Sequence, residues 1–154
     1  MDEAIPLELP RSTGRSVLIV DADERAGVAL QRYLETEGWT VRHVRDGRAA
    51  LRLWSTFPPS IVLTNCDGQE IDAFELAAFA RRTKERPSCL LLTRQAESKV
   101  LQPAMMRRLG LAAVLRRPCP FDAIAAMLEQ LQLARVPAGT ERSEGQMVAE
   151  QVAC

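Results

Sequence analysis

The sequence predicts a doubly wound α/β protein on a five-stranded parallel sheet, and three observations carry that expectation. Short apolar runs at residues 17–20, 61–63, 89–92 and 112–115 do not alternate with polar residues, which suits strands buried on both faces of a parallel sheet. Residues 39–44 do alternate, Trp39 and Val41 against Thr40 and Arg42, as fits a sheet edge wet on one side. Helical stripes fill the gaps, so strand–helix units repeat five times.

Each helix has its own signals. Ala29, Leu30, Tyr33 and Leu34 make the first stripe, with Gly38 as its C-terminal cap. Ala50, Leu51, Trp54 and Phe57 make the second, stopped by Pro58-Pro59. Asp72 is expected to N-cap a third helix running through Leu76, Ala77 and Ala80. An α-helix accepts Pro103 only in its first turn, so the fourth begins near Gln102 and ends at Gly110. Phe121, Ile124, Leu128 and Leu131 mark the fifth.

Composition narrows the function. The 154 residues carry 20 Lys+Arg against 20 Asp+Glu, which gives no basic excess for nucleic acid or an anionic membrane surface. No stretch approaches the ~20 apolar residues of a membrane helix, and Asp2, Glu3 and Pro6 do not fit a secretory signal, so a cytoplasmic protein is expected. Residues 1–14 and 136–154 read as flexible ends of a 15–135 body. Cys66, Cys89, Cys119 and Cys154 fall in no CxxC or CxxH spacing and are expected to be reduced thiols. His43, the sole histidine, has no catalytic partner in the pattern and reads as structural.

Doubly wound sheets bind ligands beyond the carboxyl ends of their strands. The residues there are Asp21, Ala22, Asp23 and Glu24, then Asn65, Cys66 and Asp67, then Thr93 and Arg94, then Arg116, Arg117 and Pro118. No glycine-rich phosphate loop follows a strand.

This pattern resembles a bacterial two-component response-regulator receiver domain over residues 15–134. "SVLIVDADERAGVALQRYLETEGWTVRHVRDGRAALRLW" is similar to the family's first two units, and "PPSIVLTNCDGQEIDAFEL" to its third strand, active loop and third helix. "LLLTR" and "LGLAAVLRRPCPFDAIAAML" resemble its last two strands and lysine–proline step. The resemblance implies the flavodoxin-like strand order 2-1-3-4-5. It also implies an aspartate that accepts a phosphoryl group, an acidic pair for Mg²⁺, a Ser/Thr and a Lys. Those roles fall on Asn65, on Asp21 with Ala22, on Thr93 and on Arg117; Asp72, seven residues after Asn65, supports the register. The family's aromatic switch position falls on Val114.

The departures strike the chemistry. An amide is a poor nucleophile, so Asn65 forms no acyl phosphate. Ala22 and Asn65 remove two charged oxygen donors from the place where a hard cation would bind. Arg117 sets a planar fork in place of a compact ammonium, and Val114 offers no ring to swing. The expected reading is a stand-alone pseudo-receiver, not an enzyme. It works without cofactor or Mg²⁺ and regulates protein partners, or a second copy of itself, through the face of helix four, strand five and helix five. An Asp21–Arg117 ion pair, with Arg94 near it, is expected to replace the metal. Asp23 is expected to cap the first helix, and is with Asp21 the only weak metal candidate. Two alternatives stand beside this reading: a phosphoacceptor using a displaced carboxylate such as Asp67, and a sensor of small anions or nucleotides in the vacated pocket.

Overall fold

The computed structural model describes residues 15–65, 70–94, 103–135 and 152–153. Its elements alternate as expected: β1 (Ser16–Val20), α1 (Glu24–Thr36), β2 (Thr40–Val44), α2 (Gly47–Trp54), β3 (Ile61–Asn65), α3 (Glu70–Arg81), β4 (Ser88–Thr93), α4 (Pro103–Leu109), β5 (Ala113–Arg116), α5 (Phe121–Leu133) and β6 (Val152–Ala153). The sheet runs β2-β1-β3-β4-β5-β6 with every pairing parallel. The expected five-strand order is therefore present, and β6 extends it: Val152 and Ala153 pair with Val114 and Leu115. The other residues of the expected N- and C-terminal flexible segments lie outside the described residues, apart from these two.

Strand pleating sends alternate side chains to opposite faces, and each face makes its own core. Val17, Ile19, Leu63, Leu90 and Leu115 pack against Leu30 and Leu34 of α1 and Ile124 and Leu128 of α5. Leu18, Val20, Val62, Leu91 and Val114 face Trp54 of α2, Leu76 of α3 and Met106 of α4. This double coverage is why the four central strands read as unbroken apolar runs. Among the described residues β2 pairs only with β1, and its exposed Thr40 and Arg42 show the predicted wet edge.

Two expectations change. The α2 stripe does not continue to Phe57: the helix ends at Trp54, and Phe57 enters the core from a turn, its N–H donating to the Leu53 carbonyl at 2.9 Å. α3 begins at Glu70, so Asp72 lies in the first turn and is not the cap; a carboxylate is favoured at both places by the helix dipole, and the sequence signal is the same. Elsewhere the punctuation holds. Gly38 and Gly110 follow α1 and α4 with φ of 96° and 79°, a backbone region that glycine enters without steric cost, and Pro103 opens α4.

Candidate functional site

The carboxyl ends of β1, β3, β4 and β5 converge on one cluster. Asp21, directly after β1, is buried, and its N–H donates to the Val44 carbonyl at 3.0 Å, which pins the loop to β2. Its Oδ1 accepts from the Asp23 N–H at 2.9 Å and from the Asn65 Nδ2 at 3.3 Å. Its Oδ2 lies 3.9 Å from a guanidinium nitrogen of Arg117, so the expected ion pair is present but loose. Thr93 is fully buried at the end of β4, and its carbonyl accepts the Arg117 N–H at 2.8 Å, tying β4 to the turn after β5.

The remaining predicted positions separate. Ala22 is exposed and offers no donor. Asp23 N-caps α1, accepting the Ala26 N–H at 3.2 Å, as its spacing suggested. Of the arginine pair, Arg116 is exposed while Arg117 lines a cavity that Arg94 also lines. The Arg117–Pro118 peptide is cis. Val114 is fully buried in the middle of β5, packed with the core on the α2–α4 side. Asp67, the displaced carboxylate, and Cys66 lie outside the described residues. Met106 is buried and Met105 packs on the same core, so neither makes an exposed apolar spot on α4.

Two features escaped the sequence. His43 reaches across from β2, its Nε2 2.9 Å from the Asp21 carbonyl oxygen, and its ring fills the space beside Gly27, where any Cβ would overlap it. A glycine in the middle of an amphipathic helix was the available signal. Cys119 is disulfide-bonded, which corrects the expectation of four reduced thiols; its partner lies outside the described residues. Cys89 is a free, buried thiol whose pKa burial pushes up to about 12, with Arg81 opposing weakly, so it stays protonated and inert.

The cluster can hold one carboxylate against a guanidinium and an amide in a small polar recess. Among the described residues, no three His, Cys, Asp or Glu side chains gather to hold a metal ion, and no helix is long and apolar enough to cross a membrane.

Known proteins match both chain and fold. The virulence sensor protein BvgS of Bordetella bronchiseptica is 28% identical over 119 residues, which are 74% of this chain and 10% of that protein. The Bordetella pertussis protein matches at the same identity and coverage. This chain thus spans about a tenth of the length of these curated relatives. Among solved structures, the chemotaxis response regulator CheY4 of Vibrio cholerae superposes with a TM-score of 0.66 at 20% identity, covering 77% of this chain and 98% of that one. The HemR receiver domain of Leptospira biflexa gives 0.68 at 22%, covering 79% and 97%. The model of the response regulator receiver domain family matches residues 17–129, and with the parallel sheet and the cluster at its carboxyl edge, this chain belongs to that family.

Proposed function

We propose that this receiver domain signals without phosphorylation, as a docking module that holds one conformation, and that it is not an enzyme. The observation that supports this most is the chemistry at the end of β3. Asn65 occupies the place where the family carries its acceptor, and its amide nitrogen donates to Asp21, so it serves as a hydrogen-bond partner. An amide has neither the charge nor the nucleophilicity to displace a phosphate.

The donor set does not fit Mg²⁺. Asp21 is the one carboxylate in the recess among the described residues; one oxygen accepts two N–H groups and the other faces Arg117. A hard cation holding near-ideal octahedral oxygen geometry would need carboxylates where Ala22 and Asn65 stand. Arg117 supplies the positive charge instead, and a guanidinium paired with a carboxylate fixes geometry more than it adds stability.

Docking falls to the face of α4, β5 and α5, where Arg107, Arg108 and Arg116 are exposed and favour an acidic protein surface or a complementary patch on a second copy. β6 pairs along the same edge, so a partner docks beside Val152–Ala153 or displaces them. The test is incubation with acetyl phosphate and Mg²⁺ followed by intact-mass analysis. No mass gain is expected. A gain of one phosphate, mapped to Asp67 or any other carboxylate, overturns the proposal.

A further inference from the structure

The stretch from Arg42 to Trp54 carries four arginines, Arg42, Arg45, Arg48 and Arg52, against one carboxylate, Asp46, in a chain whose formal charges sum to zero. All four are exposed, and the stretch lies wholly within the described residues. α2 buries Gly47, Ala50 and Trp54, so its opposite side carries Arg48, Leu51 and Arg52. Arg48 and Arg52 stand one turn apart, a like-charge spacing that costs a helix stability. Asp46 is engaged as the α2 cap, its Oδ1 accepting the Ala49 N–H at 2.8 Å. Arg45, Arg48 and Arg52 form no ion pair among the described residues. Arg42 joins them from β2: its register partner Leu18 faces the α2 side of the sheet, and its guanidinium lies 5.3 Å from the centre of the Phe57 ring. Leu51, 45% exposed, sets an apolar side chain among these cations.

We propose that the α2 face is a second docking surface, and that its partner is an acidic protein segment with an apolar side chain set between its carboxylates. Charge complementarity selects the carboxylates, which planar guanidinium forks engage with two bonds each. Leu51 selects a protein over a nucleic acid, because a sugar–phosphate backbone satisfies the arginines but buries little of a leucine. The fold keeps this surface apart from the α4–β5–α5 face: α2 packs on β1 and β2, whereas β2 and β6 form opposite edges of the sheet. The inference extends the docking reading to a second face, so one partner can be held at each, and it does not depend on what happens at Asn65.

A peptide of repeated Glu-Glu-Leu-Leu units, the same peptide with serine for leucine, and oligothymidylate, each titrated into the ¹⁵N-labelled full chain at constant ionic strength, test this. The leucine peptide is expected to give saturable amide shifts at Arg45, Arg48, Leu51 and Arg52. The serine peptide and oligothymidylate should bind there at least about tenfold more weakly, the scale set by one buried apolar side chain. The double variant Arg48→Gln, Arg52→Gln, at exposed positions, should keep the folded spectrum and weaken the leucine peptide by about tenfold, the scale of two exposed charge pairs. Arg107→Gln with Arg108→Gln, on the other face, should leave these shifts unchanged. The surface is overturned by no saturable shift at the four amides, by equal binding of the serine peptide or oligothymidylate, by unchanged affinity in the Arg48, Arg52 variant, or by loss of the shifts in the Arg107, Arg108 variant. Shifts of the same amides on dilution without peptide would overturn it too, by assigning the face to a second copy. None of these results bears on the acetyl phosphate experiment, so the two proposals fail separately.

Discussion

The two ends of the sheet solve the same problem differently. At the amino end, Ser16 and Ser60 interlock: the Ser60 N–H donates to the Ser16 hydroxyl at 2.9 Å, the Ser16 N–H to the Ser60 hydroxyl at 3.1 Å, and the Ser60 hydroxyl to the Ser16 carbonyl at 2.8 Å. Arg135, just past α5, donates to the Ser60 carbonyl at 2.7 Å, and Arg15 joins Glu129 at 2.9 Å while lying over the Trp39 ring. At the carboxyl end, the Asn65–Asp21 contact stretches to 3.3 Å and Arg117–Asp21 to 3.9 Å, beside an open cavity. One end is a closed, short-bonded seam, and at the other the contacts among the described residues are longer. The proposed function places recognition at the second, in keeping with loops that carry function on a rigid scaffold.

That contrast sets the size of each mutational effect. Ser60→Ala breaks the seam and leaves the buried Ser16 N–H without its acceptor; urea denaturation should show a loss of about 2 kcal/mol. Gly27→Ala should cost about 1 kcal/mol by evicting the His43 ring from its place against Asp21, despite the better helix propensity of alanine. In a His43→Ala background the same change should reverse sign and stabilise by about 0.5 kcal/mol, so a double-mutant cycle reads the clash directly. Asp23→Ala removes the α1 cap and should cost about 1 kcal/mol or slightly less. Asn65→Ala, at the carboxyl end, should cost about 0.5 kcal/mol, since the hydrogen bond it deletes among the described residues is long. An effect at Asn65 as large as that at Ser60 would erase the distinction between the ends. Smallest of all, Cys89 should resist iodoacetamide at pH 8 in the folded chain and react only on unfolding, because its thiol titrates near 12.

How much the sequence revealed follows the range of the interactions involved. The four central strands were legible because burial on both faces leaves a local record, an apolar run. The α2 stripe overran because Phe57 keeps helical spacing while entering the core from a turn. β6 was not legible, as two residues pairing with one neighbour carry no period. At the site, Asp21, Asn65, Thr93 and Arg117 could be placed from strand ends alone. The His43 contact and the cavity could not, since residues as distant as Leu30, Arg94 and Ile124 meet only through the winding of the sheet. The Cys119 disulfide likewise depends on a long-range approach that cysteine spacing does not encode.

The central claim is that a guanidinium and an amide have taken over the place of the metal at the carboxyl end. Titration of the ¹⁵N-labelled chain with Mg²⁺ into the tens of millimolar, with matched NaCl controls, tests it most directly. The amides of Asp21, Asp23 and Asn65 should move no more with Mg²⁺ than with NaCl, and a saturable shift confined to those three would contradict it.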